Sequence, residues 1–133
     1  MNKIQENINP RIIVIQKLYT QHLNKDSELH FPKHRYKKFI KDVVNGTLER
    51  EEVINDEMKR HFDENLNMKT LDKIFLIIIK SAIFEFLYKP KTSVRIIIKE
   101  YLDASNFFIN ETQTKYLNAL LDKISKKIRI QNE

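Results

Sequence analysis

Apolar side chains recur along this chain with the three-to-four-residue rhythm of helices, and short polar segments interrupt that rhythm. Asn9-Pro10 places a cap and a first-turn proline in their preferred order, and Ile12, Ile15, Tyr19, His22 and Leu23 then line a first helix that ends near Asn24. After a loop over 26–32, Tyr36, Phe39, Ile40, Val43, Val44 and Leu48 mark a second amphipathic helix. The pattern continues past Gly46 through Val53, Ile54, Met58 and Phe62, so Gly46 either permits a close helix contact or divides two helices. A connector over 63–68 leads to the most apolar stretch, 71–88, which Lys89-Pro90 stops. Its run Ile77-Ile78-Ile79 also suits a buried strand, but the length of the stretch and the lack of companion strands favour a buried central helix. Thr92 or Ser93 caps the next helix, carrying Ile97, Ile98, Tyr101, Leu102 and Phe108. Thr112 caps the last, whose face is Tyr116, Leu117, Leu120, Leu121, Ile124 and Ile128.

Composition sharpens this picture into an all-α class. A single glycine and three prolines leave little material for tight turns or phosphate-cradling loops, which argues against sandwiches, Rossmann units and P-loops. The 133 residues, 41% of them hydrophobic, suffice for one compact unit. With no cysteine, neither disulfides nor thiolate metal sites can hold the fold, which suits a reducing cytosol. The polar start of the chain and the shortness of its longest apolar run, 74–79, predict a soluble cytoplasmic protein with no membrane partner. A net charge of +6 favours a polyanionic partner, although richness in Lys, Ile and Asn also follows from genome bias.

Candidate chemistry changes the picture at three places. Glu85 and Asn118 are polar residues set into apolar helical sequence, where each costs a few kcal/mol unless a partner satisfies it, so both are expected to lock helices together. Lys33, His34, Arg35, Lys37, Lys38 and Lys41 gather at the start of the second helix, while Glu49, Glu51, Glu52, Asp56 and Glu57 crowd downstream. That order opposes the helix macrodipole, so the cluster is either a solvated face or a second anionic contact surface. His30 and His34 stand four apart, but Pro32 between them disrupts the helix that would align two metal ligands. No nucleophile motif, Gly-rich loop or carboxylate cluster supports catalysis, and neither enzyme chemistry, a metal nor a cofactor is expected.

Two segments, Lys80-Ser81-Ala82-Ile83-Phe84-Glu85 and Lys115-Tyr116-Leu117-Asn118-Ala119-Leu120-Leu121-Asp122, together resemble the C-terminal half of the NusB family of transcription antitermination factors. Lys80 stands where that family carries arginine, and Ala119 where it carries glycine. A second likeness covers Arg11 through Gln16, Leu18 and Tyr19, and a third the apolar stretch from Phe39 to Gly46. The resemblance implies a helical fold of two small packed bundles, with halves of about 1–64 and 65–133, and a non-enzymatic role. It implies binding of boxA-type RNA together with NusE, a small-subunit ribosomal protein, in support of ribosomal RNA transcription. Other antitermination factors and RNA polymerase are then indirect partners.

Carried over position by position, the resemblance nominates Lys3, Arg11, Lys115, Tyr116 and Asn118 for RNA, and Tyr19 and Phe75 for the protein partner. Tyr116 is read either as a base-stacking ring or as a core aromatic; Lys3, Arg11 and Lys115 either as phosphate contacts or as solvated cations; and Tyr19 equally as a core residue. The chain also departs from the family. Gln5-Glu6-Asn7-Ile8-Asn9 replaces an arginine cluster before the first helix, Thr112 replaces an acidic residue of the RNA site, and Phe75 an acidic residue used toward the partner. A helical protein-interaction module without specific boxA recognition is therefore the alternative reading.

Overall fold

Asn9 accepts a hydrogen bond from the Arg11 N–H at 2.9 Å and Pro10 fixes the first turn, which together start α1 (Pro10–Leu23). The computed structural model describes residues 8–62 and 71–130, and five further helices follow in that range. They are α2 (Lys37–Glu49), α3 (Glu51–His61), α4 (Lys73–Tyr88), α5 (Val94–Ser105) and α6 (Glu111–Ile130). No strand occurs among the described residues, and Ile77, Ile78 and Ile79 are buried in α4. The expected connector over 63–68, and the expected join of two halves near 64, lie outside the described residues.

Helix α4 explains the architecture. It is apolar nearly all round, as only a helix surrounded by others can be, and it touches every one of the other five. One continuous apolar core runs from Ile12 in α1 to Ile128 in α6 through this helix. Among the described residues, no helix is long and apolar enough to cross a membrane.

The structure decides two open alternatives, at Gly46 and at the cap of α5, and corrects other local expectations. Gly46 does not divide two helices; α2 runs through it, and a Cβ there would sit 2.3 Å from the buried Phe84 ring, so the glycine permits α2 to close on α4. The break falls at Arg50, whose guanidinium lies over the Tyr88 ring at 4.5 Å. Glu51 and Glu52 then occupy the first turn of α3, and Lys59, Arg60 and His61 its last, so those charges complement the dipole of a separate helix. Of these two helices, α2 alone carries the unfavourable order. Thr112 does not cap α6; Asn110 accepts from the Gln113 N–H at 2.8 Å while Gln113 accepts from the Asn110 N–H at 3.0 Å, a reciprocal capping box. At the start of α5 the cap is Ser93, bonded to the Ile96 N–H, and Phe108 lies beyond the helix end.

Candidate nucleic-acid interface

Helices α1 and α4 run antiparallel, and the two ends of this pair present different chemistry. At one end Glu85, fully buried, receives two hydrogen bonds from Arg11, Nε to Oε2 at 3.0 Å and Nη2 to Oε1 at 2.6 Å. The guanidinium is flanked by the rings of Phe39 at 4.7 Å and Tyr101 at 5.3 Å. Burial alone would lower the Arg11 pKa, but the hydrogen bonds and charge of Glu85 more than offset it and hold it above its ordinary value. Burial, reinforced by the Glu85 charge, pushes the Tyr101 phenol well above its ordinary value. Arg11, expected at phosphate, is thus placed as an interior cation held by Glu85.

At the other end, roughly 15 Å along α4 by its rise per residue, Phe75 stacks on Tyr116 with centroids 5.7 Å apart and planes at 16°. Phe75 is 2% exposed and Tyr116 41% exposed, so the pair is a platform with one ring outside and one beneath. Phe75, expected at the partner surface, has its ring covered and stacked beneath Tyr116. Lys115 is exposed and pairs loosely with Glu111 at 3.8 Å. Thr112 is exposed in the same first turn of α6. Tyr19 is half-buried against the core near the end of α1, and Lys3 lies outside the described residues.

Asn118 is not the expected lock. It is exposed in an open groove between α5 and α6, beside Val94, Ile98 and Leu102. Two residues on from Tyr116, it points about 200° away around the helix axis, so the structure does not bring these two together.

Between α1, α2 and α4 lies a cavity of about 300 Å³ whose walls include Leu18, Leu48 and Ile77. Lys80 reaches into it from α4, 3.9 Å from Glu51; burial lowers its pKa, a shift the Glu51 charge opposes. The basic residues Lys33, Arg35, Lys37, Lys38 and Lys41 are all exposed around the entry to α2, at the Arg11 end of the molecule.

Three residues matter here, and of them the sequence pattern singled out only His34, in another role. Arg129 donates to the carbonyls of Phe86, Lys89, Pro90 and Thr92, so the end of α6 clamps the α4–α5 turn. Arg50 bridges the α2–α3 break to Tyr88. His34 is buried, its Nδ1 accepting from the Tyr36 N–H at 2.9 Å and its Nε2 donating to the Ile8 carbonyl at 2.7 Å. Both ring nitrogens are thus engaged by backbone, which leaves neither for a metal shared with His30.

The NusB family model matches residues 8–126 of this chain. The chain belongs to the NusB family. Among curated NusB relatives, the transcription antitermination protein NusB of Coxiella burnetii is 31% identical over 91 residues, which cover 68% of this chain and 64% of that protein. The matched stretch therefore spans slightly less than two thirds of that relative's length. The protein of the same name from Lysinibacillus sphaericus is 28% identical over 89 residues, covering 67% of this chain and 69% of its own. A solved structure of T. maritima NusB superposes with a TM-score of 0.77 at 19% identity, covering 91% of this chain and 92% of that one. The all-α fold is thus shared with a NusB structure.

Proposed function

We propose that this chain is an RNA-binding antitermination factor that binds boxA-type RNA together with ribosomal protein NusE and supports ribosomal RNA transcription. Its role is recruitment without turnover. The observation that carries the reading is the Tyr116 ring, open on its outer side and backed by Phe75 on its inner side. A ring held flat by a buried neighbour keeps its orientation when a base arrives, so little ordering cost opposes stacking, which contributes about 1–3 kcal/mol per base. Lys115 adjoins it for phosphate, and Tyr19 contributes to the NusE-facing surface.

The test is binding of labelled boxA-type RNA and a scrambled control, with and without NusE, at two salt concentrations. Preference for boxA, strengthened by NusE and weakened between about fivefold and 150-fold by Tyr116→Ala, is the expected result. A second reading, a protein-interaction module lacking boxA recognition, is favoured by the inward turn of Arg11 and the neutral Thr112. NusE binding with no boxA preference would establish that reading instead.

A further inference from the structure

We propose that the entry to α2, formed by Arg35, Lys37, Lys38 and Lys41 with Tyr36, is a second contact surface for the phosphate backbone of single-stranded RNA. It shares with the proposed function only the premise that this chain meets RNA, and it does not depend on boxA recognition at Tyr116.

Helix stability does not select these charges. Lys37 and Lys38 occupy the first turn of α2, where the macrodipole disfavours cations, no acidic residue shares that turn, and the Tyr36 side chain makes no capping bond. Neither lysine has an acidic partner among the described residues. The groove they line with Lys41, Asn45 and Arg50 contains two carboxylates, and both are engaged: Asp42 by Lys89, and Glu49 by Arg50 at 3.8 Å. What remains is an excess of unpaired positive charge along an open trough. That shape suits a chain of anions better than an enclosed small molecule.

The aromatic neighbours select RNA over an acidic polypeptide. Arg35 lies over the Tyr36 ring at 5.5 Å, Lys41 lies 6.0 Å from the Phe31 ring, and Tyr36 is 49% exposed. Planar rings interleaved with cations match alternating phosphates and unstacked bases, whereas carboxylates make no stacking contact with an exposed ring. The surface is also prepositioned. His34 ties the α2 entry to the start of α1 through the Ile8 carbonyl while holding the Tyr36 backbone N–H.

A labelled short oligouridine, titrated with the full chain across several salt concentrations, tests this without any boxA sequence. Each cation lost from a single-strand contact lowers the slope of log affinity against log salt by about 0.7. Lys37→Gln with Lys38→Gln should therefore flatten the slope by about 1.4, with a melting temperature equal to or above that of the parent. Tyr36→Ala should weaken binding about tenfold with the slope unchanged. Lys126→Gln with Lys127→Gln, exposed cations on α6, serves as the charge-matched control and should flatten the slope less. An unchanged slope in the Lys37/Lys38 variant, or one matched by the control, overturns the proposal. Loss of polyglutamate binding by the same factor, with Tyr36→Ala leaving oligouridine affinity intact, also overturns it and assigns the surface to anionic polymers without bases. Failure of boxA preference alone would sink the proposed function while leaving these slopes as predicted.

Discussion

Arg11 and Glu85 are a pair in which each partner is tolerable only because of the other. Their burial sets two desolvation costs against one close, doubly hydrogen-bonded contact, so the pair as a unit contributes little net stability. Removing one member is different, since an uncompensated charge remains inside. Arg11→Met or Glu85→Gln should each cost about 3–5 kcal/mol in denaturant unfolding, while Arg11→Met with Glu85→Leu should recover most of that loss. A double variant no more stable than the singles would place the energy elsewhere in the site. The expectation of a helix-locking carboxylate at position 85 came from its apolar neighbours, but its partner lies 74 residues away. A cation beside a helix start has the same sequence signature whether it turns to solvent or to a buried carboxylate, so Arg11 was not legible. Asn118 failed for the converse reason: α6 packs on only part of its circumference, and an apolar flank does not specify which side of the helix faces out.

At the scale of elements, the periodicity covered every helix among the described residues but ran α2 and α3 together, and the errors are at junctions. The α2–α3 break carries no proline and no glycine; it is set by packing, with Arg50 drawn onto Tyr88, which local sequence cannot express. Gly46 reads in the sequence as either a close helix contact or a divider, and it acts as the contact. Alanine there would gain up to about 1 kcal/mol of helix propensity but would drive a methyl into the Phe84 ring. Because Phe84 is buried and cannot swing away, Gly46→Ala should destabilise by about 1–3 kcal/mol net. A stabilised variant would show that α2 and α4 part more easily than their packing indicates. The start of α6 separates two cap candidates directly. Asn110→Ala should cost about 1 kcal/mol, and Thr112→Ala should stay within about 0.5 kcal/mol, compared by thermal melting.

Over the whole molecule, α4 is both the centre of the core and the beam joining two surfaces, the Tyr116 platform near its start and the basic entry of α2 near its end. The buried cluster at the second end also makes the stability of the fold depend on alkaline pH. The unfolded chain releases the Tyr101 proton near the ordinary value of 10.0, whereas the folded chain retains it to higher pH. Above that ordinary value the unfolded state binds fewer protons, so stability present below it is lost as pH rises through the raised folded value. Of the five tyrosines, Tyr101 should yield phenolate absorbance only together with loss of helical circular dichroism. Ionisation in a folded protein would contradict its enclosure. That the central helix was legible and its cross-molecular partners were not follows from the range of the forces: burial is written in composition, while pairing depends on topology. The separation between Arg11 and Glu85 also bears on biogenesis. As a nascent chain emerges, α1 is made well before its counter-ion, and its apolar stripe meets solvent with a guanidinium embedded in it. Until Glu85 arrives, that charge opposes self-association of the stripe, so the same arginine that completes the native interior first serves as a gatekeeper against aggregation.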